Sequence, residues 1–146
     1  MKSARTILVV LAAFAVGAGP ALAIGNASIT VEKTPQLGKV IADGKGHTLY
    51  LFRADHGTKS ACYGQCATYW PPLLTKGKPM ATAGVKVSLL GTAKRNNGTL
   101  QVTYKGHPLY TFAGDKKVGQ TTGEGSSLFG AKWYALAPSG ATIDRD

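Results

Sequence analysis

Short runs of alternating apolar and polar residues, each followed by a glycine-containing turn, dominate the chain and predict β-strands. Two of these runs are joined to a second run by a tight turn, over residues 37–53 and 99–112. The first turn contains Asp43-Gly44, a dipeptide that between apolar runs is a strong hairpin signal, and the second contains Lys105-Gly106. The pattern therefore predicts two β-hairpins.

Both faces of the second strand in each hairpin carry apolar side chains. Because side chains alternate along a strand, Tyr50 and Phe52 share one face, and Leu49 and Leu51 share the other. Both faces are expected to be covered. Further strands are predicted over 29–32, 85–90 and 132–137. The best helical segment is 60–69, which Pro71 would end. The fold class is therefore mainly β, with at most one short helix near the cysteine pair.

The two hairpins are related by an internal repeat. Residues 45–55 read KGHTLYLFRAD and residues 105–115 read KGHPLYTFAGD, with seven identities at a constant offset of 60. Trp70 and Trp133 occupy comparable positions after each copy. We interpret this as a tandem duplication, with repeat 1 at about 36–75 and repeat 2 at about 96–138. A lone hairpin is not stable, so both copies are expected to share one core in a single domain over 24–146.

The first 23 residues have the features of a secretory signal peptide. Lys2 and Arg5 precede an uncharged apolar run, and Ala21-Leu22-Ala23 fits a signal peptidase site. The run is short for a membrane span. The residue directly after Ala23 is not a cysteine, so no lipid anchor is predicted there. No transmembrane span is predicted after cleavage either, because the apolar run lies within the cleaved segment. We expect a periplasmic or secreted protein.

Export changes the interpretation of the two cysteines. An oxidising compartment favours a disulfide between Cys62 and Cys66, and Gly64 between them permits the irregular turn that such a bridge requires. A functional pair of redox or metal-binding thiols remains the alternative. The spacing is not that of a Cys-x-x-Cys motif.

The repeated motif resembles that of a bacterial family of secreted repeats, also described as predicted lipoproteins with a Tyr-x-(Phe/Trp/Tyr)-x-x-Asp motif. Residues 50–55 and 110–115 carry this motif, and the segments 62–73 and 103–110 are also similar to the family. The resemblance covers about 36–140 and implies an exported envelope protein. Because the family has no assigned function, it implies no mechanism.

The candidate binding residues are positions that are identical in the two copies. Tyr50, Asp55, Tyr110 and Asp115 could form a ligand or cation site shared by both copies. The alternative is that each aspartate closes the end of its strand in a local turn. No catalytic motif is recognised.

His47 and His107 are equivalent by repeat and are the candidate metal ligands. Two imidazoles could bind Cu²⁺ or Zn²⁺ across a symmetric interface, although a metal site needs three or four ligands. Packed or partly exposed histidines are the simpler interpretation, and no cofactor is expected otherwise.

Composition narrows the class of partner. The chain has 146 residues, 17 Lys plus Arg against 7 Asp plus Glu, and a formal charge of +10. A basic exported protein is expected to bind an anionic envelope component or another envelope protein, whereas export disfavours nucleic acid. We therefore expect a non-enzymatic binding or structural module. The alternatives are a protein that handles copper or another transition metal, and an enzyme acting on envelope glycans or peptides through Asp55 and Asp115.

Overall fold

Glycine-containing turns divide the described chain into short strands. The computed structural model describes Gly17 and residues 24–145, so the predicted signal peptide over 1–23 lies, apart from Gly17, outside the described residues. The strands are β1 (Ser28–Thr34), β2 (Gly38–Asp43), β3 (Tyr50–Phe52), β4 (Leu74–Thr75), β5 (Met80–Ala81), β6 (Leu90–Lys94), β7 (Leu100–Tyr104), β8 (His107–Pro108) and β9 (Trp133–Ala135). The α-helix α1 spans Gln65–Tyr69, and 3₁₀ turns span Val87–Leu89 and Leu128–Gly130. The mainly β prediction is confirmed.

The strands form three small sheets. In the first, β1 pairs antiparallel with β2 and parallel with β5. In the second, β3 pairs antiparallel with β9. In the third, β7 pairs antiparallel with β4, β6 and β8. Both β3–β9 and β4–β7 join a strand of one repeat to a strand of the other, so the repeats are held together by backbone hydrogen bonds.

Each predicted hairpin forms at its turn and then opens. In repeat 1 the Asp43 N–H donates to the His47 carbonyl, and the Leu49 N–H donates to the Ile41 carbonyl. Beyond that point β3 leaves β2 and pairs with β9 of the other repeat. Repeat 2 behaves in the same way, since Tyr104 pairs with His107 before the chain diverges. The local sequence pattern predicted the turns but not this exchange of strands.

The exchange is symmetric in its hydrogen bonds. The Ile41 N–H of repeat 1 donates to the Leu136 carbonyl at 2.9 Å, and the Val102 N–H of repeat 2 donates to the Leu73 carbonyl at 2.8 Å. Each repeat thus supplies a terminal strand to the other. Neither repeat has all of its backbone partners within its own sequence.

The interior consists of two apolar clusters on opposite faces of the exchanged strands. Leu49 and Leu51 lie in one cluster, whereas Tyr50 and Phe52 lie in the other, as the alternation predicted. Residues of both repeats contribute to each cluster. The first contains Ile29, Ile41, Leu49, Leu51, Val85, Val102, Tyr104, Leu109, Tyr134 and Leu136, and the second contains Leu37, Val40, Tyr50, Phe52, Cys62, Cys66, Trp70, Tyr110, Trp133 and Ala135.

The helix and one strand differ from the sequence prediction. The helix is half as long as the 60–69 segment predicted, because the chain first passes through the bridged loop and Gly64, whose φ is 60°. The predicted strand over 85–90 is wrong. Residues 87–89 form a 3₁₀ turn, and the strand begins only at Leu90. None of the helices among residues 24–145 has the length and apolar character needed to cross a lipid bilayer.

The predicted disulfide is present between Cys62 and Cys66, whose Cα atoms lie 5.3 Å apart. Both cysteines are buried in the second cluster. The bridge joins residues only four positions apart, so it restricts a short loop and holds no distant elements together.

Replacing both cysteines with alanine is therefore expected to lower the free energy of unfolding by about 2 kcal/mol while leaving the β-structure intact. Urea unfolding followed by tryptophan fluorescence, with circular dichroism of the native state, measures both quantities. Loss of the β-sheet signal in the Cys62→Ala/Cys66→Ala variant would contradict a purely local role.

Candidate functional site

The tyrosines of the two repeated motifs meet at the centre of the molecule. Tyr50 and Tyr110 form an antiparallel bridge in which each N–H donates to the other's carbonyl, at 2.8 and 3.0 Å. Both side chains have no exposed surface. The repeat-related residues thus lie about a pseudo-two-fold axis, as the duplication predicted.

Each tyrosine hydroxyl binds the aspartate of the opposite repeat. The Tyr50 hydroxyl donates to Asp115 Oδ2 at 2.7 Å, and the Tyr110 hydroxyl donates to Asp55 Oδ2 at 2.9 Å. The four candidate binding residues are therefore brought together in pairs in the interior. Their polar atoms already have partners, which a ligand would have to displace.

The second oxygen of each aspartate organises a loop of its own repeat. Asp55 Oδ1 accepts the N–H of Ala61 at 2.8 Å. Asp115 Oδ1 accepts both the N–H and the hydroxyl hydrogen of Thr122. Each backbone also turns at this point, since the aspartate N–H donates to the carbonyl three residues earlier. Each aspartate therefore closes a local turn and also joins the two repeats.

Burial governs the protonation of this cluster. It raises the pKa of Tyr50, and the hydrogen bond to the Asp115 carboxylate raises that pKa further, so the hydroxyl stays protonated. The pKa of Tyr110 is likewise raised, chiefly by burial. Burial also raises the pKa of Asp55, although the N–H of Ala61 and the Tyr110 hydroxyl oppose that change.

Four aromatic rings form a continuous stack beside the tyrosines. Trp70 and Trp133 lie face to face, with ring centroids 3.9 Å apart and planes 3° from parallel. Phe112 stacks on the outer face of Trp70 at 4.3 Å, and Phe52 stacks on that of Trp133 at 4.0 Å. The stack therefore alternates between the repeats and packs them against one another.

A buried arginine beside the disulfide was missed by the sequence analysis. Arg95 is only 6% exposed, and its guanidinium donates to Gln101 Oε1, to the Ser60 hydroxyl and to the Cys62 carbonyl. It also lies over the Tyr63 ring. Arg95 belongs to a polar turn and has no arginine counterpart in repeat 1, so nothing in the pattern distinguished it from a surface residue.

The structure does not bring His47 and His107 together. Each precedes its tyrosine by three residues, so the antiparallel bridge places them at opposite ends, roughly 20 Å apart along the strands. His47 Nδ1 lies 3.4 Å from Asp43 Oδ2. His107 has a lowered pKa, because of burial and the charges of Arg53 and Lys105. Within residues 24–145, no group of three or more His, Cys, Asp or Glu side chains is arranged to hold a metal ion.

Removing the two tyrosine hydroxyls separately is expected to have unequal effects. Tyr50→Phe removes a hydrogen-bond donor from the Asp115 carboxylate, and Asp115 is only 8% exposed. We therefore expect the unfolding free energy to fall by about 1–3 kcal/mol. Tyr110→Phe should cost less, because Asp55 is only partly buried. Urea unfolding of both variants measures the difference. Tyr69→Phe, at a tyrosine that is 46% exposed, is the control, and the reverse order of the two losses would contradict the assignment.

The contribution of Asp55 to the unfolding free energy is expected to fall as the pH rises. Its pKa is higher in the folded protein than its ordinary value of 3.8, so the folded state binds its proton more tightly. The stability that Asp55 contributes is full below the unfolded pKa and is lost as the pH rises through the folded pKa. The unfolding free energy of the wild type minus that of Asp55→Asn should fall over this range in urea titrations. An increase with pH would show that the folded pKa is lowered instead.

Comparison with known proteins finds the same two units. Residues 31–74 and residues 91–137 each match the family described as a secreted repeat of unknown function. No curated protein and no solved structure matches the chain. The two matches together cover more than half of the chain, and they include both copies of the tyrosine–aspartate motif. The chain belongs to the family of secreted repeats of unknown function and is an exported protein with two interlocked copies of the repeat.

Proposed function

We propose that the protein is a non-enzymatic binding module of the bacterial cell envelope, periplasmic or secreted, that holds an anionic envelope component on its basic surface. The proposal rests on the way in which the fold distributes charge. Four carboxylates accept hydrogen bonds within the fold, whereas most of the lysines are exposed.

Asp43, Asp55, Asp115 and Glu124 all accept hydrogen bonds from the fold itself. Asp55 and Asp115 accept from tyrosine hydroxyls, and Asp43 Oδ1 accepts the N–H groups of Lys45 and His47. Glu124 Oε2 accepts the N–H of Ala135 at 2.7 Å. Acids held in this way are partly withdrawn from solvent, so they neutralise less of the positive surface.

Eleven lysines among residues 24–145 are exposed, which makes the described surface strongly positive. They are Lys33, Lys39, Lys45, Lys59, Lys76, Lys78, Lys86, Lys94, Lys105, Lys116 and Lys117. Positive charge distributed around a small rigid module attracts polyanions from any direction, and this attraction weakens as salt screens it.

One lysine pair carries the proposal most directly. Lys33 of β1 and Lys39 of β2 are directly opposed in the antiparallel register, and both are exposed. Like charges at opposed positions destabilise a sheet. Lys33 and Lys117 line the same groove of about 660 Å³, which is also lined by the single acid Glu32. An anionic group bound here would relieve the repulsion between Lys33 and Lys39. The opposed lysines therefore destabilise the free sheet and favour a bound anion.

Retention on lipid vesicles tests the proposal. The purified protein should sediment with vesicles that contain phosphatidylglycerol and stay in solution with vesicles of phosphatidylcholine alone. Raising the salt from about 0.1 M to about 1 M shortens the screening length from about 10 to about 3 Å and should release it. Failure to bind anionic vesicles, peptidoglycan or anionic envelope polymer at low salt would overturn the proposal.

The opposed lysines provide a sharper test. Lys39→Glu should weaken vesicle retention and also stabilise the fold by up to about 1 kcal/mol, because it replaces a repulsive pair by an attractive one. Lys39→Arg keeps the charge and is the matched control for both measurements. Equal retention of the two variants would remove this pair from the binding surface.

A further inference from the structure

One end of the aromatic stack is covered and the other faces a groove. Phe52 at one end is 3% exposed, whereas Phe112 at the other is only partly buried. Phe112 lines a surface groove of about 560 Å³, together with Leu73, Leu74 and the segment 24–28. This volume lies within the range found for small-molecule sites.

The groove arises where the symmetry of the two repeats breaks down. After β9, the chain turns back on itself, so that the Ile143 N–H donates to the Ala135 carbonyl and Ile143 packs against the cluster that contains Phe52. After the equivalent strand β4, the chain instead leaves to form β5, which pairs with β1. Repeat 1 therefore lacks the returning segment that covers repeat 2. We attribute the exposure of Phe112 to this difference.

Polar groups surround the aromatic floor of the groove. His47, Asp43, Lys45 and Asn26 all line it. The His47 side chain is 34% exposed, and its Nδ1 lies 3.4 Å from Asp43 Oδ2. The rim thus offers an imidazole, an ammonium donor and an amide that can both donate and accept.

We propose that this groove binds a pyranose ring of an envelope glycan. The flat face of a sugar carries C–H groups that pack on an aromatic ring, while its hydroxyls both donate and accept hydrogen bonds around the ring edge. Phe112 supplies the platform, the His47 imidazole hydrogen-bonds one hydroxyl, and Lys45 and Asn26 donate to others. The proposal goes beyond the electrostatic role of the basic surface and does not depend on it.

Binding of a neutral oligosaccharide tests this proposal. The purified ¹⁵N-labelled protein is titrated with a tetrasaccharide of β-1,4-linked N-acetylglucosamine at about 0.5 M salt, where surface charge contributes little. The amide resonances of His47, Lys45 and Phe112 are expected to shift. Sorbitol, a polyol without a ring face, is the control ligand. Absence of shifts with the tetrasaccharide, or equal shifts with sorbitol, would overturn the proposal.

Substitutions at the platform separate stacking from folding. Phe112→Leu keeps an apolar side chain but loses the flat ring, and should weaken binding about tenfold. Phe112→Tyr keeps the ring and should bind as the wild type does. His47→Ala alters the rim without touching the aromatic stack and should weaken binding several-fold.

Phe129→Leu is the matched control, because Phe129 is an exposed aromatic residue (40%) that does not line the groove. Unchanged binding in both Phe112→Leu and His47→Ala, or an equal loss in Phe129→Leu, would contradict the assignment. Vesicle retention of the same variants should stay at the wild-type level. Glycan binding without salt-sensitive retention on any anionic vesicle or envelope polymer would refute only the electrostatic function, and the reverse result only the groove.

Discussion

The structure depends on the pairing of Tyr50 with Tyr110. Their backbones exchange two hydrogen bonds at the pseudo-two-fold axis, and each hydroxyl donates to the aspartate of the opposite repeat. A buried tyrosine hydroxyl and a buried carboxylate are each costly without a partner, and here each satisfies the other. Because the donor and acceptor come from different repeats, the motif is complete only when both copies fold together.

The rest of the interior follows from this constraint. Tyr50 also pairs with Ala135 where β3 meets β9, and the two tryptophans stack beside it at 3.9 Å with one phenylalanine on each outer face. Successive rings of the stack come from different repeats, so each ring packs on a ring of the other copy. A duplicated sequence of this kind gains stability from interlocking, since an isolated hairpin cannot bury enough surface.

Both proposed binding surfaces lie where the symmetry of the two repeats breaks down. Symmetry requires the two aspartates and two tyrosines to remain inside, so these repeated residues serve the fold. The regions that differ between the copies are free of that requirement. They include the open end of the stack at Phe112 and the opposed lysines 33 and 39 on the first hairpin. Phe112, His47 and Lys45 are themselves repeated positions, so the asymmetry lies in which chain segments cover them and not in the residues themselves.

Charge follows the same division between interior and surface. Carboxylates at the strand ends are held by backbone N–H groups and tyrosines, whereas the lysines extend into solvent. The exposed charged groups are therefore mostly lysines. This is the physical basis of the proposed attraction to anionic envelope components.

The sequence alone determined the duplication, the mainly β class, the turns at Asp43 and Lys105, and the pairing of Cys62 with Cys66, because these depend on local patterns and on residue identity. Only the tertiary structure decided which strands pair, because exchange between the repeats is a long-range choice that leaves the alternation of each strand unchanged. It also decided that the two motif tyrosines meet while the two histidines separate, since an antiparallel bridge reverses the order of residues on either side of its centre. The burial of Arg95 could not be read from its polar turn, because the acceptors that surround it, Gln101, Ser60 and the Cys62 carbonyl, are assembled only when the disulfide loop packs against repeat 2.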